Sequence, residues 1–140
     1  MDILTYISLF ATALLFGGMV FFAAFMTPLI FAKLDGDVRG QFLRDVFPWY
    51  YLTVLCLGAI AALAVISWRP VDGAILAGVA GVAVVVRQVL LPIINRARDG
   101  RDSGDAEAAK RFSRLHRLSV WINLSQMLAV AIVLARFLQP

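Results

Sequence analysis

The chain has 140 residues, 61% of them hydrophobic and only 16% charged, with a mean hydropathy of +0.85. Soluble domains sit near ~45–50% apolar, so this composition excludes an ordinary soluble enzyme or soluble binding module. The net charge of +4 does not indicate nucleic acid: the basic residues flank apolar runs, no soluble fold remains to carry a DNA-reading face, and a cationic surface beside anionic lipid accounts for it.

Apolar blocks between charged connectors predict one all-α domain over 1–140, an integral membrane bundle of four transmembrane helices. A bilayer core of about 30 Å needs roughly 20 apolar residues per span. Helix 1 is expected at about 3–32. Met1-Asp2 lacks a basic start, and the apolar run outlasts the ~7–15 residues of a signal peptide, so this is read as a retained helix. Its length of about 45 Å exceeds the bilayer core, and Pro28 is the expected bend. Residues 33–41 read as a connector with Gly36 and Gly40 as breakers. Helix 2 is expected at about 42–68, with Pro48 as a kink or restart. Arg69-Pro70 closes it, and Asp72 is a candidate N-cap for helix 3. Helix 3 is expected at about 74–97 and contains Pro92. Residues 98–105 read as a polar turn, and helix 4 follows at about 105–138, entering the membrane near Leu118. Cys56 lies alone in an apolar run and reads as a small buried hydrophobe.

Charge sets the expected orientation. Lys33, Arg39, Arg44, Arg96, Arg98, Arg101, Lys110, Arg111, Arg114 and Arg117 fall on one side, and only Arg69 and Arg136 on the other. Under the positive-inside rule the connectors after helices 1 and 3 are cytoplasmic and both termini are not. Trp49, Tyr50 and Tyr51 on one side, and Tyr6 and Trp68 on the other, suit aromatic belts. Small residues mark expected close approaches: Ala13, Gly17, Ala24 and Pro28 on the Tyr6 face of helix 1, Gly58 with Ala62, and Ala77 with Gly81. Such faces serve bundle packing or a homo-oligomer.

Polar residues within the spans mark the candidate site. His116, Ser119, Asn123 and Gln126 fall within an arc of about 80° on helix 4 and climb about 15 Å. Such a stripe should face the bundle interior. On helix 3, Gln88 and Asn95 share a face, with Arg87 about 100° away. Counted from the Asn95–Arg117 level, Arg87 and Gln88 lie about 10–12 Å deep, Asn123 about 9 Å and Gln126 about 13 Å. The two sets therefore match in depth and are expected to line one pocket. Arg87 is the costliest residue and needs compensation. Asp45 is its nearest acidic candidate, and carbonyls freed by Pro48 or Pro92 are another. Snorkelling to the surface is the bland alternative. His116 alone, without Asp, Glu or Cys at ligand spacing, is a weak metal signal, and no metal site is expected.

The segments FSRLHRLSVWINL (112–124) and VFPWYY (46–51), the Gly17-Gly18 pair followed by Phe21-Phe22, and Pro92 together resemble the transmembrane-protein-205-like family. That resemblance spans nearly the whole chain. It implies a four-helix membrane protein and supplies no established reaction. Its eukaryotic member is associated with resistance to platinum drugs and with vesicle trafficking. It carries over His116, Ser119, Asn123, Phe47, Pro48 and Tyr50. A fainter four-helix likeness runs to anthrone-oxygenase-like and protoporphyrinogen-oxidase-like membrane proteins.

Three functions are compatible with these residues. The first is a cytoplasm-facing pocket between helices 3 and 4 that binds or passes a small polar molecule, an ion or a lipid headgroup, without a cofactor and leaning away from catalysis. The second is a membrane oxidoreductase holding haem, a quinone or an aromatic substrate through His116, with Tyr50 or Tyr51 as proton donor. The third is an assembly partner whose stripe only fixes helix register. The lipid bilayer, and a second copy of the chain, are the expected partners, and a bacterial inner membrane the expected location.

Overall fold

A computed structural model describes residues 3–139. Among the described residues there is no strand. Four helices are long and apolar enough to cross a membrane: α1 (Ile3–Lys33), α2 (Gly36–Val65), α3 (Pro70–Asp102) and α4 (Ala106–Phe137). Consecutive helices pack side by side and α4 closes back onto α1, giving a four-membered ring.

Proline shapes two of the helices. In α1 a π-helical stretch, Phe22–Met26, ends two residues before Pro28. In α3 another, Val86–Leu90, ends two residues before Pro92. The N–H of Thr27 reaches the carbonyl of Phe22, and that of Leu91 reaches Val86. A proline ring clashes with the carbonyl four residues back, and the widened turn relieves that clash without ending the helix. The Thr27 hydroxyl also donates to the Phe22 carbonyl at 2.9 Å. Pro48, expected to kink or restart helix 2, lies inside an uninterrupted α2.

The helices run further into the connectors than the sequence suggested. Gly36 and Gly40 are helical rather than breakers. A helical glycine costs only about 1 kcal/mol, and here tertiary contact offsets it: Arg98 Nη1 donates to the Gly40 carbonyl at 3.0 Å. Pro70, with φ already near helical values, sets the start of α3 before residue 74. At its other end α3 continues through Asp102, taking in most of the expected polar turn. Gly104, at φ +94°, permits the reversal there. Asp105 then caps α4, its Oδ1 accepting from Glu107 N at 2.9 Å and Ala108 N at 3.2 Å.

Only one of the three small-residue faces lies at a helix contact. Gly58 and Ala62 are buried, and a Cβ on Gly58 would sit 3.4 Å from Ala80 Cβ and from the Leu76 carbonyl. The other two point outward: Tyr6, Ala13, Gly17, Ala24 and Pro28 of α1, and Ala77 and Gly81 of α3, are all exposed. The inner face of α1 carries Thr5, Ser8 and Thr12 among Ala11, Leu15 and Met19. A helical hydroxyl on the outer face can bond only its own helix, as Thr53 does to the Trp49 carbonyl at 3.0 Å, whereas an inward one can reach a neighbouring helix. Ser8 Oγ accordingly donates to the Ala61 carbonyl of α2 at 2.9 Å. Cys56 is exposed on the outer face of α2 rather than buried.

Candidate functional site

The polar residues of the spans divide into three groups by depth. The outermost group, at the basic end, surrounds a cleft of ≈ 590 Å³. Its walls come from the last turns of α1 (Thr27, Phe31), the start of α2 (Arg39, Gly40, Arg44, Phe47), the end of α3 (Arg98, Asp99, Arg101) and the start of α4 (Phe112, His116). The cleft continues inward as a recess of ≈ 30 Å³ reaching Tyr51, Asn95 and Ser119, room for about one or two waters. Arg98 and His116 line both parts.

Ion pairs and ring stacking organise the cleft lining. Arg44 pairs with Asp99 across α2 and α3, and Arg101 with Asp102 at 2.8 Å. Phe112 is the hub of a stack: His116 lies 5.8 Å from its ring at 12°, and the guanidiniums of Arg98 and Arg101 lie 5.5 and 4.3 Å from its centroid. Arg39 lies over Phe31 at 4.6 Å. Stacking a guanidinium leaves its N–H edges directed along the ring plane and available for an acceptor.

The middle group is a set of helix-to-helix bonds. Tyr50 Oη donates to Asn123 Oδ1 at 2.6 Å, joining α2 to α4. Phe22 stacks on Tyr50 at 4.6 Å, and Phe47 and Tyr51 complete an aromatic cluster around them. Gln126 Nε2 donates to the Val79 carbonyl of α3 at 2.9 Å. Arg87 Nε donates to the Pro48 carbonyl of α2 at 3.0 Å. The acceptor is the carbonyl of Pro48 itself, not the one at Arg44 that the missing proline N–H releases.

The stripe on α4 therefore does two things. His116 and Ser119 face the cleft with Asn95 of α3, while Asn123 and Gln126 tie α4 to α2 and α3. Two expected placements are corrected. Gln88 is exposed on the outer surface of α3, because the π-helical turn at Val86–Leu90 resets the face on which the following residues lie. Asp45 does not meet Arg87. It is exposed and accepts from Gln41 Nε2 at 3.2 Å, one helical turn away.

Two clusters were not anticipated. Arg39, Arg44, Arg98, Asp99 and Phe112 of the cleft read as connector charge and interfacial turns, since helix 3 was ended at 97 and helix 2 begun at 42. A signal was present: Leu91, Ile94, Asn95 and Arg98 keep helical spacing, so Arg98 belonged to the face that carries Asn95. The third group, at the far end, is Asp72 with Arg69 and Arg136. Asp72 is fully buried in the first turn of α3. Arg69 Nε lies 2.7 Å from its Oδ2 and Arg136 Nε 2.6 Å from its Oδ1. Arg69 also donates to the Arg136 carbonyl at 2.8 Å. The only two basic residues on that side thus converge on one carboxylate.

A family profile described as a domain of unknown function (DUF4149) matches residues 10–103, two thirds of the chain. The chain belongs to this family. The match takes in α1 from Phe10, α2 and α3, and hence the Arg44–Asp99 pair, Arg98 and Pro48. Helix α4, with His116, Ser119 and Asn123, lies beyond the matched residues. Comparison with curated proteins and with solved structures gives no match. The DUF4149 chain is thus a four-helix membrane protein whose family supplies no reaction. Among the described residues no three His, Cys, Asp or Glu side chains come together to hold a metal ion.

Proposed function

We propose that this membrane protein binds a small polar molecule, an ion or a lipid headgroup in the cleft at its basic end, and that this end faces the cytoplasm. The observation that carries the reading is the cleft itself. It is an opening of ≈ 590 Å³ to which all four helices contribute, and it narrows onto Asn95, His116 and Ser119. Polar and charged side chains turned toward an opening in an otherwise apolar bundle are costly to maintain unless something pairs with them. The ten-to-two distribution of Lys and Arg supports a cytoplasmic mouth. The deeper bonds, Tyr50 to Asn123 and Gln126 to Val79, favour a register-fixing role for that part of the stripe. The likeness to the transmembrane-protein-205-like family rests on positions that cluster here. Phe47, His116 and Ser119 line the cleft or its recess, and Tyr50 meets Asn123 just below.

Orientation is tested by impermeant thiol labelling of intact cells, with Cys56 replaced by alanine. Ser103→Cys, in the exposed turn between α3 and α4, is the suitable probe. Gly100 is not, because a Cβ there would lie 2.6 Å from Ala108 Cβ. Ser103→Cys should be labelled only after the membrane is opened. Labelling in sealed cells would place the cleft on the outer face.

Binding is tested by screening amino acids, sugars, nucleotides and simple salts for a rise in thermal midpoint of the detergent-purified protein. A ligand at about 100 times its Kd adds roughly 2.7 kcal/mol of stability, which such a screen resolves. Ser119→Trp, which plugs the recess, should abolish the rise. A screen in which nothing stabilises the protein, or in which Ser119→Trp responds as the parent does, would end the proposal.

A further inference from the structure

The cleft lining carries one more positive than negative charge, and two of its arginines make no ion pair. Its lining includes four arginines, at 39, 44, 98 and 101, and three aspartates, at 37, 99 and 102. Asp99 is taken by Arg44 and Asp102 by Arg101. Asp37 is exposed. Among the described residues, Arg39 and Arg98 form no ion pair. Arg98 is the more telling of the two. Only 8% of its surface is exposed, yet its one hydrogen bond is to a neutral carbonyl, that of Gly40. A guanidinium carries five N–H donors, so most of its capacity is unused. Asp99 and Asp102 act on it only from a distance, without a direct ion pair, and removal from water raises the worth of any anion that reaches it.

Both line the same cleft, and Arg98 donates to the carbonyl of Gly40, the residue that follows Arg39 in α2. Each is stacked on a phenyl ring, Arg39 on Phe31 and Arg98 on Phe112. Stacking fixes the plane and presents the N–H fork, the arrangement that suits a tetrahedral, multiply charged oxyanion better than a lone carboxylate.

We infer that the cleft recognises a terminal phosphate group, a phosphomonoester anion held between Arg39 and Arg98. The inference rests on the cleft being a binding site, as proposed above, and names the chemistry of what it binds. The phosphate can belong to a soluble compound entering from the water or to a lipid entering beside α1. Thr27 and the exposed Phe31 of α1 form one wall of the cleft.

The test uses the full chain and two sets of probes, read by thermal midpoint and native mass spectrometry. In one arm inorganic phosphate and glycerol 3-phosphate are titrated against chloride at equal ionic strength. In the other the protein is placed in phosphatidylcholine nanodiscs with and without phosphatidic acid. Saturable stabilisation is expected in at least one arm: the first alone identifies a soluble compound, the second alone a lipid, and both together the phosphate itself. Arg39→Gln and Arg98→Gln should each weaken it about tenfold or more, because each removes charge-assisted hydrogen bonds. Among the described residues Arg39 makes no ion pair or side-chain hydrogen bond, only the stack on Phe31, so Arg39→Gln should disturb folding less than Arg98→Gln. Arg111→Gln, at the same end but outside the cleft, should change nothing. Stabilisation in neither arm overturns the inference, as does an Arg111→Gln effect equal to that of Arg39→Gln. An uncharged ligand found in the broader screen would leave the cleft reading standing while removing the phosphate.

Discussion

Replacing both Arg69 and Arg136 with glutamine should destabilise the protein by about 4 kcal/mol, more than replacing the aspartate they share. Asp72 has no exposed surface, whereas the side chains of Arg69 and Arg136 are 21% and 43% exposed. Without its partners the carboxylate stays buried and uncompensated, which costs roughly 3–5 kcal/mol. Asp72→Asn leaves two guanidiniums that already reach water, so its cost should be nearer about 2 kcal/mol. Either arginine alone should cost less than the pair, because the other remains. Urea or thermal unfolding in mild detergent measures all four variants. If Asp72→Asn proved more damaging than the double arginine variant, the buried carboxylate would not be the centre of this cluster. The loss should also be nearly independent of salt, since buried pairs are poorly screened. Because the cluster joins the start of α3 to the end of α4 at the far end, these variants should leave phosphate binding at the basic end unchanged in whatever fraction remains folded.

Gly73→Ala should cost about 3 kcal/mol or prevent folding, at the upper end of what overpacking a tight contact does. A Cβ at residue 73 would stand 2.7 Å from Ile66 Cα, 2.8 Å from its Cβ and 2.9 Å from its Cγ1. The nearest of these is backbone, so no side-chain rotation relieves the clash. The hairpin from α2 to α3 would have to open, pulling Asp72 away from Arg136. Gly78→Ala on the same helix is the control. No atom lies within 4 Å of its added Cβ, and alanine is the better helix former by about 1 kcal/mol. It should be neutral or stabilising. Equal behaviour of the two alanine variants in thermal unfolding would refute the close contact at Ile66.

Composition and hydropathy alone determined that the chain is a membrane bundle of four helices, because a run of some 20 apolar residues has few other uses. The sequence also determined that Arg87 needs a polar partner, and that Asn123 and Gln126 cannot face hydrocarbon unpaired. Partner identity was a matter for the tertiary structure. Arg87 reaches the Pro48 carbonyl and not Asp45, and Asn123 meets Tyr50 of α2 and not Gln88 of α3. The reason is local and geometric: the π-helical turn before Pro92 rotates α3, and a count at 100° per residue cannot see it. The cleft was hidden for a different reason. Arg44, Arg98 and Asp99 look like solvated connector charge until α2 and α3 are extended into the loops, and that extension is stabilised by contacts between the helices themselves, Arg98 with Gly40 and Arg44 with Asp99. Asp72 looked like a helix cap because its two partners lie 3 residues before it and 64 after it. Only the ring closure of the bundle brings the end of α4 to the start of α3 and adds Arg136 to the Arg69–Asp72 pair, forming one cluster around a buried carboxylate.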